Sequence, residues 1–500
     1  MLIPFVSAVA FMVFPLKAAV LPEFAPGMND LPQRVRDAAA LLWILCWLPA
    51  LGYTLTRRER RRPIPFFPII GILYGLYYAL SAALGFANYW GRDPVNGTAV
   101  TTLFNTQIDY GHPVEMAFLG WAAMLLGRHI VLRSWHGRMP PINARLRRLR
   151  ARDLLPWTFV FLALNAAQAI VGRVTPFDPS HVGALRMISF VAQAALIVLI
   201  VAYRANMLTR RQRILTWVAV PAAVFIDFGS GATAPVLYVS FAIFTAFWIG
   251  RRGMPVRYLA AGAVAVLLCV SIRGVMNQWR LRVWRGGSHV SPLQQSWVLV
   301  DLLEESVRDR GVQGTIARGW DVIARRSSNI ELLADVMRRT PADVPFWDGA
   351  TYNSLVGAFV PRVVWPDKPT KTLGQDFGHR YGYLSPLDGH TSINLPVLVE
   401  FYINYGDPGI LLGMLLVGAI LATLEQCCNR PGQSVLMTAA AAPIMTQFYV
   451  MECDFSLQYG GLVLQLVVML ALALVLFLRY GPRRRPWWDI SPTLHVPSLR

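Results

Sequence analysis

The feature that most restricts what this chain can become is the recurrence of apolar runs about 20 residues long, the length a helix needs to cross a bilayer core. Twelve can be drawn: 2–20, 38–56, 64–87, 113–132, 154–172, 183–206, 214–229, 233–250, 257–275, 396–424, 435–451 and 460–479. Only 15% of the residues are charged and 55% are hydrophobic. A soluble globular protein has roughly 25% charged residues, so a large soluble enzyme is disfavoured. The expectation is an all-α, polytopic membrane protein of about twelve spans. Residues 2–16 lack a basic leader and read as a retained first helix.

Charge position supports the same class. The chain carries a formal +19. Segments 57–63, 133–153, 207–213, 251–257, 425–434 and 479–500 hold 24 Lys and Arg against the four acids Glu59, Asp153, Glu425 and Asp489. They fall at every second connection, which is the positive-inside pattern and not a nucleic-acid footprint. Both termini are then cytoplasmic, and 88–112, 173–182 and 276–395 lie outside. The five cysteines, Cys46, Cys269, Cys427, Cys428 and Cys453, sit in or beside apolar runs and give no disulfide framework. Gly71 with Gly75, and Gly409 with Gly413, have the small-xxx-small spacing of closely packed helices. Arg186, Arg204, Asp227 and Arg273 are charges within or at the ends of spans, where they can snorkel. Arg186, preceded by Arg173, Asp178 and His181, is the one placed to meet a lipid carrier.

The organisation is an N-terminal bundle (1–275), an extracytoplasmic loop (276–395), a C-terminal set of spans (396–479) and a basic tail (480–500). Within the loop, 293–309 places Leu293, Trp297, Val300 and Leu303 on one helical face, opposite Glu304, Glu305 and Arg308. A second periodic stretch, 315–339, ends before Pro341. The remainder turns rich in Pro, Gly and aromatics, a composition suited to a structured catalytic surface. The chain has no His-Glu-x-x-His, Walker loop, Gly-x-Ser-x-Gly, paired Cys-x-x-Cys or Asp-x-Asp. Metal-driven and nucleotide-driven chemistry are disfavoured, and no cofactor is expected.

Five segments carry a resemblance. They are Phe346-Trp-Asp-Gly-Ala-Thr-Tyr, Phe359-Val-Pro-Arg-Val-Val-Trp-Pro-Asp-Lys-Pro, Gly374-Gln-Asp-Phe-Gly-His-Arg-Tyr, Thr391-Ser-Ile-Asn and Glu400-Phe-Tyr-Ile-Asn-Tyr-Gly-Asp-Pro-Gly. With Arg325-Arg-Ser-Ser-Asn-Ile-Glu-Leu-Leu upstream, their order resembles the Wzy-type polysaccharide repeat-unit polymerases (O-antigen and exopolysaccharide) over about 325–415. One departure is Gly229-Ser-Gly-Ala, where many relatives carry an Arg. The resemblance implies a GT-C-like glycosyltransferase of the bacterial inner membrane. It would join oligosaccharide units on undecaprenyl diphosphate, donor and acceptor both lipid-linked, without metal, with membrane lipid around it and a chain-length regulator as a further partner. A ligase acting on another acceptor and a lipid-linked glycan transporter are the alternatives.

Such a transfer needs cations for the leaving diphosphate and a base for the attacking hydroxyl. For the diphosphate the matching element carries Arg362 and Lys368, with Arg380 and Arg326 next. The same charges also read as solvated loop residues, since 276–395 holds 14 basic and 12 acidic residues. Arg280, Arg282 and Arg285, beside Trp279 and Trp284, suit a headgroup anchor or a lipid phosphate. For the base the candidates are Glu400, His379 and His390. Glu400 also reads as half of a structural ion pair. Tyr402 and Asn404 follow at helical spacing, to bind sugar hydroxyls or to satisfy backbone groups.

Overall fold

The computed structural model describes residues 32–56, 59, 61–83, 109–134, 151–174, 182–228, 233–248, 292–327, 329–353, 373–389, 391–431 and 435–480, with short pieces within 273–283 and residues 355 and 365. Among the described residues there is no strand. The helices are α1 Gln33–Cys46, α2 Leu48–Leu55, α3 Phe66–Gly75 (continued by a π turn, Leu76–Leu80), α4 Gly111–Ser134, α5 Ala151–Val174, α6 Val182–Arg204, α7 Arg210–Phe228 and α8 Thr233–Trp248. They are followed by α9 Pro292–Ser327, α10 Asn329–Arg339, α11 Leu373–Arg380, α12 Val397–Cys428, α13 Val435–Thr446 and α14 Phe455–Tyr480. Ten of the twelve apolar runs coincide with these helices; 2–20 and nearly all of 257–275 lie outside the described residues.

Five segments among the described residues are long and apolar enough to cross a membrane: Gln33–Leu55, Gly111–Ser134, Met187–Arg204, Val397–Cys428 and Phe455–Leu472. Phe66–Leu80 and Val239–Trp248 are shorter apolar helices. The described part of the chain is therefore all-helical, with the helices of a membrane protein.

Contacts divide it into two compact units, one of 1–139, 324–427 and 448–462, the other of 140–323, 428–447 and 463–500. In the first unit, glycines set the helix spacing. A Cβ on Gly71 would lie 2.2 Å from the Cys46 carbonyl oxygen, and one on Gly75 would lie 2.8 Å from the Trp43 ring, so α1 and α3 pack backbone to backbone in opposite directions. The Gly71 to Gly75 spacing thus does what the sequence suggested. Likewise a Cβ on Gly127 would meet the Leu415 oxygen at 2.1 Å, and one on Gly418 the Met124 oxygen at 2.0 Å. These contacts hold α4 and the later part of α12 side by side and parallel. Tyr74 stacks on Trp121 with 5.1 Å between ring centroids and donates to the Ala117 oxygen at 2.6 Å.

At the far end of the same helices, two arginines and two glutamates close a network. Arg128 Nη2 lies 3.2 Å from Glu425 and 3.3 Å from Glu59, and Arg62 Nε lies 3.0 Å from Glu59 and 3.9 Å from Glu425. The Arg62 and Glu425 side chains are each 1% exposed. Charges so buried need partners, and here two cations meet two anions. Arg62 and Glu425, counted in the sequence within basic connecting segments, are interior groups.

In the second unit, Leu155, Leu199, Ala202 and Leu208 form a core between α5 and α6. Arg204 donates to the Ala246 and Phe247 oxygens at 2.7 and 2.9 Å, satisfying the carbonyl end of α8. Two loop expectations need correction. The buried face of 293–309 runs through Leu299 and Leu302, which pack on Val275, Met276 and Trp279, whereas Trp297 and Val300 are exposed. The apolar stripe there is broader than one partner covers, and the partner takes the adjacent edge. The second stretch is also two elements: α9 is broken at Gly311 (φ 71°, ψ 172°) and ends at Ser327, and α10 begins at Asn329.

Candidate functional site

The site lies within the first unit, where α12 breaks. Tyr405 (φ −142°, ψ 17°) and Gly406 (φ 62°, ψ −149°) leave helical geometry, and the helix restarts at Asp407 with Pro408 in its first turn. Glycine is the residue that accepts the positive φ without strain. The break turns the chain back on itself, for a Cβ on Gly409 would lie 2.3 Å from the Phe401 oxygen and one on Gly413 would lie 2.4 Å from the Phe401 ring. The Gly409 to Gly413 pair therefore packs against Phe401, in the part of its own helix before the break.

The segment before the break is fastened to the loop at 345–353. Asn404 Nδ2 donates to the Glu400 backbone oxygen at 2.7 Å and to Thr351 Oγ1 at 2.9 Å, while its Oδ1 accepts from Gly349 N at 2.9 Å. Thr351 Oγ1 in turn donates to Glu400 Oε1 at 2.8 Å, and Phe455 N, the first amide of α14, donates to Glu400 Oε2. Trp347 N donates to the Ile403 oxygen at 2.8 Å, one of the carbonyls freed by the break. Glu400 is 0%, Asn404 1% and Thr351 2% exposed. A carboxylate at a helix N-terminus meets the positive end of the helix dipole, which favours Glu400 in this burial. Asp454 Oδ1 caps the same helix through Leu457 N at 2.7 Å. Tyr402 donates to the Thr340 oxygen at 3.2 Å, so Tyr402 and Asn404 both bond backbone here.

Around this clamp the loop cations are anchored by aromatics. Arg380, exposed, donates to the Pro345 oxygen at 2.8 Å and lies 4.7 Å over the Trp347 ring. Arg339 donates to the Tyr381 oxygen at 2.6 Å and faces the Tyr381 and Tyr383 rings. Tyr383 donates to Asp335 Oδ2 at 2.6 Å, and Arg338 pairs with Asp335 at 2.7 Å. Burial pushes the Tyr381 phenol up to about 12. Burial, then the Asp335 carboxylate, pushes Tyr383 well above the usual tyrosine range, and burial, then Glu400, does the same for Tyr352. All three phenols stay protonated as donors at physiological pH.

His379 is half-buried on α11. Arg326 and Arg186 lie on α9 and α6 with side chains outside the described part. Arg362, Lys368, His390 and Arg280 also lie outside the described residues. The structure thus joins Glu400, Tyr402 and Asn404 to the 345–353 loop, with Arg380 at the rim of that loop. Two groups that sequence reading left unassigned meet at the break: His112 Nε2 lies 3.0 Å from Asp407 Oδ2. They are 295 residues apart, and no local signal pairs them. Among the described residues no group of three His, Cys, Asp or Glu side chains is placed to hold a metal.

No curated protein and no solved structure matches the chain. Residues 61–477 match a family described as a domain of unknown function (DUF8712), and the chain belongs to that family.

Proposed function

We propose that this member of the DUF8712 family is a polytopic membrane glycosyltransferase. It polymerises oligosaccharide repeat units carried on polyprenyl diphosphate, in a GT-C-like frame of about twelve spans, at the outer face of the bacterial inner membrane. One observation carries the reading. Two separate segments of the family-like pattern, Phe346–Tyr352 and Glu400–Gly409, are locked together by Thr351, Asn404 and Glu400. Such a lock gives a loop rich in arginine and aromatics a fixed seat on the helix ends, as a site for positioning a charged leaving group requires. The parallel run of α4 and α12 agrees with both helices entering from the side of the 276–395 loop.

In this account Arg362 and Lys368, with Arg380 and Arg326, neutralise the diphosphate as the bond to the sugar breaks. Arginine suits this through its planar, bidentate fork. Glu400, with both oxygens engaged, is assigned to positioning: it holds the loop, α12 and α14 in register. The reading is tested in cells carrying Arg362→Ala. Lipid extracts should accumulate single lipid-linked repeat units while long glycan disappears and protein level is unchanged. Normal glycan length with this variant would remove Arg362 from the site. Long glycan that forms on the lipid but is not transferred onward would favour the ligase.

A further inference from the structure

Transfer to a sugar hydroxyl needs a group to take the hydroxyl's proton, and Glu400, buried and doubly bonded, is committed elsewhere. The break in α12 provides another. Directly after Gly406 the chain restarts as helix at Asp407, and α4 starts at Gly111 with His112 in its first turn. Because these two helices run parallel in contact, their first turns meet, with His112 Nε2 3.0 Å from Asp407 Oδ2 and both side chains 43% exposed. Asp109 Oδ1 accepts from Gly111 N at 2.8 Å and fixes the start of α4.

A carboxylate facing Nε2 assigns the proton of the neutral imidazole to that nitrogen and leaves the Nδ1 lone pair as an acceptor. Nδ1 makes no hydrogen bond among the described residues. Asp407 Oδ1 is buried with no partner among them, so the carboxylate's charge is not shared with a second donor. Arg34, Arg36, Asp37, Glu115, Glu331, Asp335, Arg338 and Arg339 lie on the elements packed here, and none bonds His112 or Asp407; on α12 itself the Tyr402 phenol feels the Asp407 carboxylate. The dyad opens beside the clamp, since Tyr405, two residues before Asp407 and 53% exposed, stacks on Tyr352 of the fastened loop at 6.4 Å.

We propose that His112, oriented by Asp407, is the general base of the transfer, an assignment that rests on the polymerase reading above. The acceptor hydroxyl oxygen bonds to the anomeric carbon of the donor chain while its proton passes to His112 Nδ1. The bond from that carbon to the diphosphate oxygen breaks, and its electron pair leaves with the lipid diphosphate. Asp407 stabilises the imidazolium until it returns the proton to water.

The test uses the purified full-length protein and one lipid-linked repeat unit, comparing wild type, His112→Gln and Asp407→Asn for kcat, KM and the pH dependence of elongation. His112→Gln should lower kcat by about 10²-fold or more with KM unchanged, and remove the acidic limb of the pH–rate profile. His112→Ala should regain activity with added imidazole. Wild-type kcat in His112→Gln, or an unchanged acidic limb, overturns the assignment. If His112→Gln does not fold, Asp407→Asn carries the test, with lowered kcat expected and wild-type kcat overturning it. A wild type that makes no ladder refutes the polymerase reading itself, whereas a ladder with a fully active His112→Gln refutes only the dyad.

Discussion

Replacing Glu400 separates a positioning carboxylate from a catalytic one, and the structure sets the magnitudes. In Glu400→Ala the Phe455 amide and the Thr351 hydroxyl both lose their acceptor, in a place where Glu400 is 0% exposed. Each buried donor left unpaired costs about 1–3 kcal/mol, so the variant loses about 2–6 kcal/mol before any cavity is counted. Glu400→Gln is milder for a geometric reason. Its one carbonyl oxygen can face Phe455 N, while its amide NH₂ faces Thr351 Oγ1, whose hydroxyl rotates to accept. What is lost is the charge assistance on the Phe455 bond and the Glu400 acceptor of the Thr351 hydroxyl, about 1–3 kcal/mol. Thermal unfolding of the detergent-purified protein should therefore order wild type above Gln above Ala, with Gln keeping most of its elongation activity. Glu400→Ala as stable as wild type would refute the clamp. Glu400→Gln with wild-type melting and no activity would return Glu400 to the role of base.

Other outcomes follow from the packing. Gly418→Ala places a Cβ 2.0 Å from the Met124 oxygen and should destabilise by about 1–3 kcal/mol, whereas Gly52→Ala, with nothing within 4 Å, should be neutral or stabilising in the same melt. Arg128→Ala leaves the Glu425 carboxylate, 1% exposed, with only Arg62 at 3.9 Å among the described residues, and should cost about 3–5 kcal/mol, read as lost expression and a lower melting temperature. An epitope inserted at Leu387, which is 95% exposed, should be reached by antibody from the outer side of spheroplasts, and labelling only after permeabilisation would overturn the orientation.

Helices were legible because hydropathy over a 19-residue window depends on local composition alone. Close packing at Gly71 and Gly75 was legible for the same reason, since small residues at helical spacing allow only a near approach. What the spacing does not contain is the partner. Gly409 and Gly413 look like an interhelical pair, yet they meet Phe401 of their own helix, because the chain turns at Tyr405 and Gly406. Glu400 stood out as a carboxylate at the end of a span, but its three-way bond to Thr351, Phe455 and the helix dipole joins residues 49 and 55 positions apart. The Trp297 and Val300 face was misplaced because an amphipathic stripe shows that one side is buried without showing which edge its neighbour takes. His112 and Asp407 each look like ordinary polar residues at a helix start, and only the parallel packing of α4 on α12 makes them a pair.

The most direct measurement is to incubate the purified protein with a single lipid-linked repeat unit from its own source, without nucleotide or added metal, and to separate the products by size. A ladder of whole-unit multiples on the lipid carrier is the predicted result. Substrate recovered unchanged, from protein that is folded and binds it, would contradict the assignment as a polymerase.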